Sequence, residues 1–304
     1  MMFNKFIAAI LPYFPKKFIW IFSRSYIAGE TIDDAMRASK DLNNKGSKVT
    51  LDILGEFITS LEEADENKKE YLSCIDYTIK NKIDGNFSLK PTSFGLLINK
   101  DVCYGHIREI VAKASSYNSF IRIDMEDSPC TDLEIELFRK LKSDFPKSVG
   151  LVLQSYLRRT YNDIENLLDL NTDESPLSFR LCKGIYIERE EIAYKKYEEI
   201  NHHFLEDLEL MFKNKVHVGI ATHDKPLIAG AYELIKKYKI PSNMYEFQML
   251  YGVTPSLRQS IVSAGHGMRV YVPYGKKWFG YSTRRLQENP KMASHIIKAI
   301  FYKG

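Results

Sequence analysis

The sequence predicts an α/β protein built as a (β/α)8 barrel, and three observations carry that prediction. Eight short runs rich in β-branched and aromatic residues recur along the chain, and stretches of helical periodicity lie between them. The starts of the runs are spaced 23 to 38 residues apart, near the roughly 30 residues that one β-α unit occupies. The runs are Val49 to Leu54, Phe87 to Lys90, Phe120 to Asp124, Val149 to Gln154, Phe179 to Cys182, His217 to Ala221, Tyr245 to Met249 and Met268 to Val272. Helical periodicity is clear over Leu133 to Leu141, Ile187 to Phe212 and Pro226 to Tyr238. A Rossmann or flavodoxin-like sheet would use the same alternation, but no GxGxxG follows any run and a count of eight favours closure.

Residues 1–45 precede the first strand and read as an N-terminal helical segment, leaving residues 46–304 as a catalytic barrel domain. Within that segment Thr31 is placed to cap a helix that carries Asp33 and Asp34 in its first turn. Phe6 to Leu11 is apolar but six residues long and followed by Pro12 and Pro15, too short and interrupted for a secretory signal. Phe18-Ile-Trp-Ile-Phe22, flanked by Lys16, Lys17 and Arg24, suits either packing on the barrel or contact with a membrane interface. Nothing reaches the roughly 18 to 20 apolar residues needed to span a bilayer. The expectation is a cytoplasmic protein that is soluble or at most peripheral at the inner face of the cell membrane.

Composition narrows the function classes. With 304 residues, 44% of them hydrophobic, the chain can bury a large core, and the net charge of +4 is too mild to argue for nucleic acid. Cys74, Cys103, Cys130 and Cys182 show no CxxC or ligand-like spacing, and the seven histidines form no HExxH. A reduced compartment and no metal site follow as expectations.

In this fold active sites gather at the C-terminal ends of the strands, and unusual polar residues stand there. Lys90 ends the second run and Asp124-Met-Glu126-Asp127 the third. Gln154 ends the fourth, Arg180 and Lys183 belong to the fifth, Thr222-His223-Asp224 follow the sixth, and Gln248 and Tyr271 sit in the last two. Any one of these could be a cap or a surface group; together they mark a mouth whose positive charge suits phosphates or a carboxylate. His223 is isolated and fits a structural role as readily as an acid-base one.

The closing segment runs from the eighth strand through a Pro/Gly turn into an arginine-rich helix. There Tyr281, Arg284, Arg285 and Glu288 fall at offsets 0, 3, 4 and 7 on one face. Two guanidinium forks and a phenol can clamp a carboxylate; the same spacing also fits a solvated face with an Arg284 to Glu288 ion pair.

Taken together, these residues resemble the proline dehydrogenase family in its monofunctional bacterial form. The resemblance spans nearly the whole chain, through Tyr26-Ile-Ala-Gly-Glu-Thr, Leu51-Asp-Ile-Leu-Gly-Glu56, Phe87-Ser-Leu-Lys90, Ile123-Asp-Met-Glu-Asp127 and Val152-Leu-Gln-Ser-Tyr156. It continues in Arg180-Leu-Cys-Lys-Gly184, Ala221-Thr-His-Asp224, Phe247-Gln-Met-Leu-Tyr-Gly252 and Tyr271 to Glu288. It implies a distorted barrel that holds FAD without a Rossmann fold and oxidises L-proline to 1-pyrroline-5-carboxylate, the hydride going to flavin N5 and the electrons to a membrane quinone. A separate pyrroline-5-carboxylate dehydrogenase would then take the product.

By position, the resemblance implies that Gln154, Arg180, Lys183, Gly184, Thr222, His223 and Asp224 hold the cofactor. Lys90, Asp124, Tyr271, Tyr281, Arg284, Arg285 and Glu288 would form the substrate pocket, with Arg284 and Arg285 on the proline carboxylate and a possible gate at Glu288. Two departures stand out. Asp224 occupies a position where the family often has asparagine, and Pro91 directly after Lys90 restricts that lysine to extended backbone. The competing readings are a Schiff-base aldolase using Lys90 or Lys183 and a binding module that has lost turnover.

Overall fold

The computed structural model describes residues 16–288, without the side chains of residues 17, 18, 21, 22 and 284–288. Two helices, α1 (Lys16–Ser23) and α2 (Ile32–Asn44), come first. The strands are β1 (Lys48–Ile53), β2 (Gly85–Leu89), β3 (Ile121–Ile123), β4 (Val149–Gln154), β5 (Ser178–Cys182), β6 (His217–Ala221), β7 (Tyr245–Leu250) and β8 (Met268–Tyr274). Each is followed by a helix: α3 (Leu61–Lys80), α4 (Lys100–Ser116), α5 (Ser128–Asp144), α6 (Thr160–Leu167), α7 (Tyr197–Lys213), α8 (Lys225–Tyr238), α9 (Pro255–Ser263) and α10 (Trp278–Glu288). The strands pair in chain order and close on themselves, with β1 parallel to β8 from Lys48 opposite Arg269 to Ile53 opposite Tyr274.

The strands are buried on both sides, yet they alternate. Val49, Leu51, Phe87, Leu89, Ile121, Ile123, Phe179, Leu181, Phe247 and Val270 are fully buried in the apolar core. The residues between them are polar and also buried: Thr50 and Asp52, Asn86 and Ser88, Arg122, Arg180, Glu246 and Gln248. Because side chains on a strand alternate with a period of two, the second set lies on the opposite face, and its bonds cross the barrel. Arg180 on β5, for example, reaches Asp124 after β3 at 2.8 Å and Gln248 on β7 at 2.6 Å. The barrel lumen is therefore filled by stacked layers of hydrogen-bonded charge where such layers are ordinarily aliphatic.

The N-terminal cap forms as expected: Asp34 N–H donates to Thr31 Oγ1 at 3.3 Å and Thr31 N–H to Asp34 Oδ2 at 3.2 Å, a reciprocal capping box on α2. One helical expectation is corrected. The pattern over Ile187 to Phe212 becomes helix only from Tyr197. Residues before it are drawn away by tertiary bonds: the Glu188 carboxylate accepts from Ser128 N–H (2.7 Å) and Oγ–H (2.8 Å), and Tyr194 N–H donates to Tyr156 O (2.8 Å). Glu188 thereby satisfies orphan donors at the start of α5, a gain that local helix formation cannot match. Among the described residues, no helix is long and apolar enough to cross a membrane.

Candidate active site

A cavity of about 430 Å3 opens at the C-terminal ends of the strands. Every residue assigned from the sequence to the cofactor or substrate pocket whose side chain is described lies along it: Lys90, Asp124, Gln154, Arg180, Lys183, Gly184, Thr222, His223, Asp224, Tyr271 and Tyr281, whereas Glu126 and Asp127, also picked out at the end of the third strand, do not line it. Arg284, Arg285 and Glu288 share α10 with Tyr281, but their side chains lie outside the described residues. Apolar groups that the sequence reading did not select complete the wall, among them Met125, Val152, Tyr186, Met249 and Leu250.

The floor is one charge network. Asp124 Oδ1 accepts from Arg180 Nη1 (2.8 Å) and from Ser88 Oγ, and Oδ2 accepts from the Tyr271 hydroxyl at 2.9 Å. Lys90 Nζ lies 3.0 Å from Asp52 Oδ1, 3.6 Å from Asp124 Oδ2 and 3.3 Å from the Tyr271 oxygen. Pro91 holds Lys90 at φ −102°, ψ 119°, the extended geometry expected before a proline. Arg180 also sits 5.1 Å from the centre of the Tyr271 ring, and its Nε is fixed by Gln248, whose own amide donates to Glu246 at 2.8 Å.

Burial alone would push the Lys90 ammonium down, but Asp52, Tyr271 and Asp124 outweigh it and raise its pKa well above the ordinary value. Burial raises the Tyr271 phenol well above its usual range, with Asp124 and Asp52 adding to the effect. Both groups are thus donors at neutral pH. Asp52, completely buried, was passed over in the sequence although it lies two residues from Thr50 on the inward side of β1.

At the far side, Gln154 spends its amide N–H groups on Glu126 O (2.8 Å) and Met125 O (3.4 Å). Its carbonyl oxygen is left as the acceptor for a ligand N–H. The Glu126 backbone is itself held, its N–H donating to both oxygens of the buried Glu134 carboxyl at 3.0 and 3.2 Å. Gly184 turns the chain at φ +107°, where a Cβ would lie 2.1 Å from the Tyr156 ring, so the position requires glycine.

Lys183 Nζ pairs with Asp224 Oδ2 at 2.5 Å and lies 4.4 Å from the centre of the Tyr197 ring. Asp224 also accepts from Tyr197 OH (2.9 Å) and Asn201 Nδ2 (3.3 Å). Burial pushes its carboxyl up, but Lys183 and Tyr197 more than offset this and hold it below the ordinary value. His223 is braced: its Nε2 accepts from Leu250 N–H (3.1 Å), so Nδ1 carries the proton toward Thr254 Oγ1 at 3.0 Å. The two ring nitrogens tie the end of β6 to the last residue of β7 and to the loop after it.

The chemistry of these groups matches a cofactor with an aromatic ring system and an anionic tail. An apolar wall with the oriented Gln154 amide suits a heterocycle, and the Lys183 side chain, 29% exposed beside Asp224, ends in a group that suits phosphate. The same arrangement opposes Lys90 as a Schiff-base lysine, which needs a depressed pKa, because Lys90 is held protonated between carboxylates; the Lys183 ammonium is engaged by Asp224.

Comparison with known proteins identifies the family of the chain. The family model for proline dehydrogenase matches residues 35–298. The chain is 35% identical over 281 residues to proline dehydrogenase 1 of Bacillus subtilis subsp. natto, covering 92% of this chain and 91% of that one. It is 32% identical over 286 residues to the proline dehydrogenase of Deinococcus radiodurans, covering 93% and 91%. Among solved structures it superposes with a TM-score of 0.82 and 26% identity on proline utilization A (PutA) from Bdellovibrio bacteriovorus inactivated by N-propargylglycine, covering 88% of this chain and 33% of that one. With the family pattern running through all eight β-α units and their polar strand ends on one cavity, the chain belongs to the proline dehydrogenase family.

Proposed function

We propose that the chain carries out the FAD-dependent oxidation of L-proline to 1-pyrroline-5-carboxylate, with a membrane quinone as final acceptor and a separate pyrroline-5-carboxylate dehydrogenase taking the product. The observation that carries this reading is the convergence of Lys90, Asp124, Arg180 and Tyr271 on one network beneath the cavity. FAD supplies the two-electron acceptor when bound; the chain's own residues bind, orient and shield. Gln154 would accept from the flavin ring, Arg180, Lys183 and the Gly184 backbone would meet the ring edge and phosphates, and Thr222 to Asp224 would hold the remainder.

Arg284 and Arg285 would take the proline carboxylate and Tyr271 and Tyr281 would wall its ring. Fixing the carboxylate fixes the reacting carbon, and such positioning can lower a barrier by several kcal/mol, up to roughly 7 to 11 in ideal cases. Lys90, shared between Asp52 and Asp124, keeps the floor from presenting bare carboxylates to an anionic substrate. Every carboxylate oxygen of Asp124 is already engaged, so the proline amine would lose its proton to solvent before the site closes.

The test is substrate-dependent reduction of a soluble quinone under anaerobic conditions, with the product analysed by mass. L-Proline should lose two hydrogens and reduce one equivalent of quinone; consumption without quinone reduction, or no consumption by flavin-loaded protein, would overturn the proposal.

A further inference from the structure

The Tyr26 to Thr31 segment, part of the family pattern yet far along the chain from the site, packs on the junction between β8 and α10. Ala28 N–H donates to Pro273 O at 2.9 Å, and Gly275 N–H donates to Gly29 O at 3.0 Å. The Glu30 carboxylate then accepts from the Trp278 indole N–H at 2.5 Å. Trp278 opens α10, is 5% exposed, and also meets Trp20 of α1 with ring centres 4.7 Å apart. The segment has no slack. Gly29 stands at φ +151° with a would-be Cβ 2.3 Å from Asp34, and the Thr31–Asp34 capping box fixes the next residue.

On α10, Trp278, Tyr281 and Arg285 fall at offsets 0, 3 and 7, one stripe of the helix. We propose that this segment is a clasp that sets the position of α10, with Glu30 and Trp278 as a positioning pair acting through the helix on the substrate carboxylate. The proposal rests on the reading that α10 supplies the carboxylate clamp. Glu30 is exposed, so its bond adds little to global stability; what it adds is direction, since a carboxylate on an indole N–H fixes rotation of the first turn. The N-terminal segment is on this account part of the active-site architecture, whatever else it contacts. Removing residues 1–24 would confound the two roles because it takes Trp20 away.

Point variants in the flavin-loaded full chain separate them. Glu30→Ala and Trp278→Phe should each raise KM for L-proline roughly five- to tenfold, the size of one ordinary hydrogen bond transmitted through the helix. kcat should stay within about twofold, and the inhibition constant of pyrrolidine, the ring without its carboxylate, should not move. Glu30→Gln, which keeps an acceptor for the indole, should stay near the parent. Unchanged KM in both variants, with Arg285→Met raising it, would overturn the clasp and leave the clamp standing. Unchanged KM in Arg285→Met as well would overturn the clamp reading itself. A matched loss for proline and pyrrolidine, with falling flavin content, would show a purely structural role and also overturn the proposal.

Discussion

At the scale of single residues the floor of the cavity is a balance of buried charges. Lys90 is counted twice, once by Asp52 and once by Asp124, and removing it leaves Asp52 as an uncompensated charge. Lys90→Met should therefore destabilise the chain by about 3 to 5 kcal/mol. Adding Asp52→Asn should recover much of that loss without recovering turnover, a combination that urea unfolding beside steady-state kinetics would reveal. Asp224 poses the opposite question. It neutralises Lys183 where the family often has an amide, so Asp224→Asn should free the ammonium for phosphate and tighten flavin retention during dialysis; weaker retention would mean that the carboxylate itself holds the cofactor. Asp124, Arg180 and Tyr271 were legible in the sequence as polar strand ends. Asp52 was not, because inside an apolar run a single aspartate looks like an interruption until its partner Lys90, 38 residues on, is known to lie across from it.

At the scale of elements, α10 carries the substrate claim. Arg284→Met or Arg285→Met should raise KM for proline by roughly 10- to 100-fold while flavin stays bound, since each removes one fork of a bidentate clamp; an unchanged KM in both would refute the clamp. Helix α7 offers an independent check on burial. Asp207 is 1% exposed and its Oδ2 has no hydrogen-bond partner. Burial, with Glu206 adding to it, raises its pKa from 3.8 to about 8. Across that window the native state keeps a proton that the unfolded chain has released, so stability falls as pH rises from about 4 to 8. Asp207→Asn should flatten this slope, giving a Tm above the parent at pH 8.5 by about 2 °C or more and little difference at pH 4. The start of the same helix shows where periodicity misleads. Ile187 to Lys196 carries the helical pattern, but Glu188 caps α5 and Tyr194 bonds to Tyr156, contacts that no local window contains.

At the scale of the whole molecule, the barrel was readable because eight strand runs at near-regular spacing leave few other closures. Less readable was what fills it. Thr50 and Asp52, Arg122 and Asp124, Glu246 and Gln248, Arg269 and Tyr271 each stand two apart, a period that assigns them to one face. In an open sheet such a face would meet solvent. Closure of the sheet turns that face inward, and the charges then satisfy one another, as Arg269 does with Glu246 at 2.5 Å. The lumen so built ends upward in the network under the cavity, which ties the fold to the proposed chemistry. The measurement that tests this account most directly is the visible spectrum of the purified protein before and after anaerobic addition of L-proline. The account predicts a flavin band at roughly 450 nm that bleaches on adding proline. A protein that binds FAD but keeps its band in the presence of proline, or that cannot retain FAD at all, would contradict it.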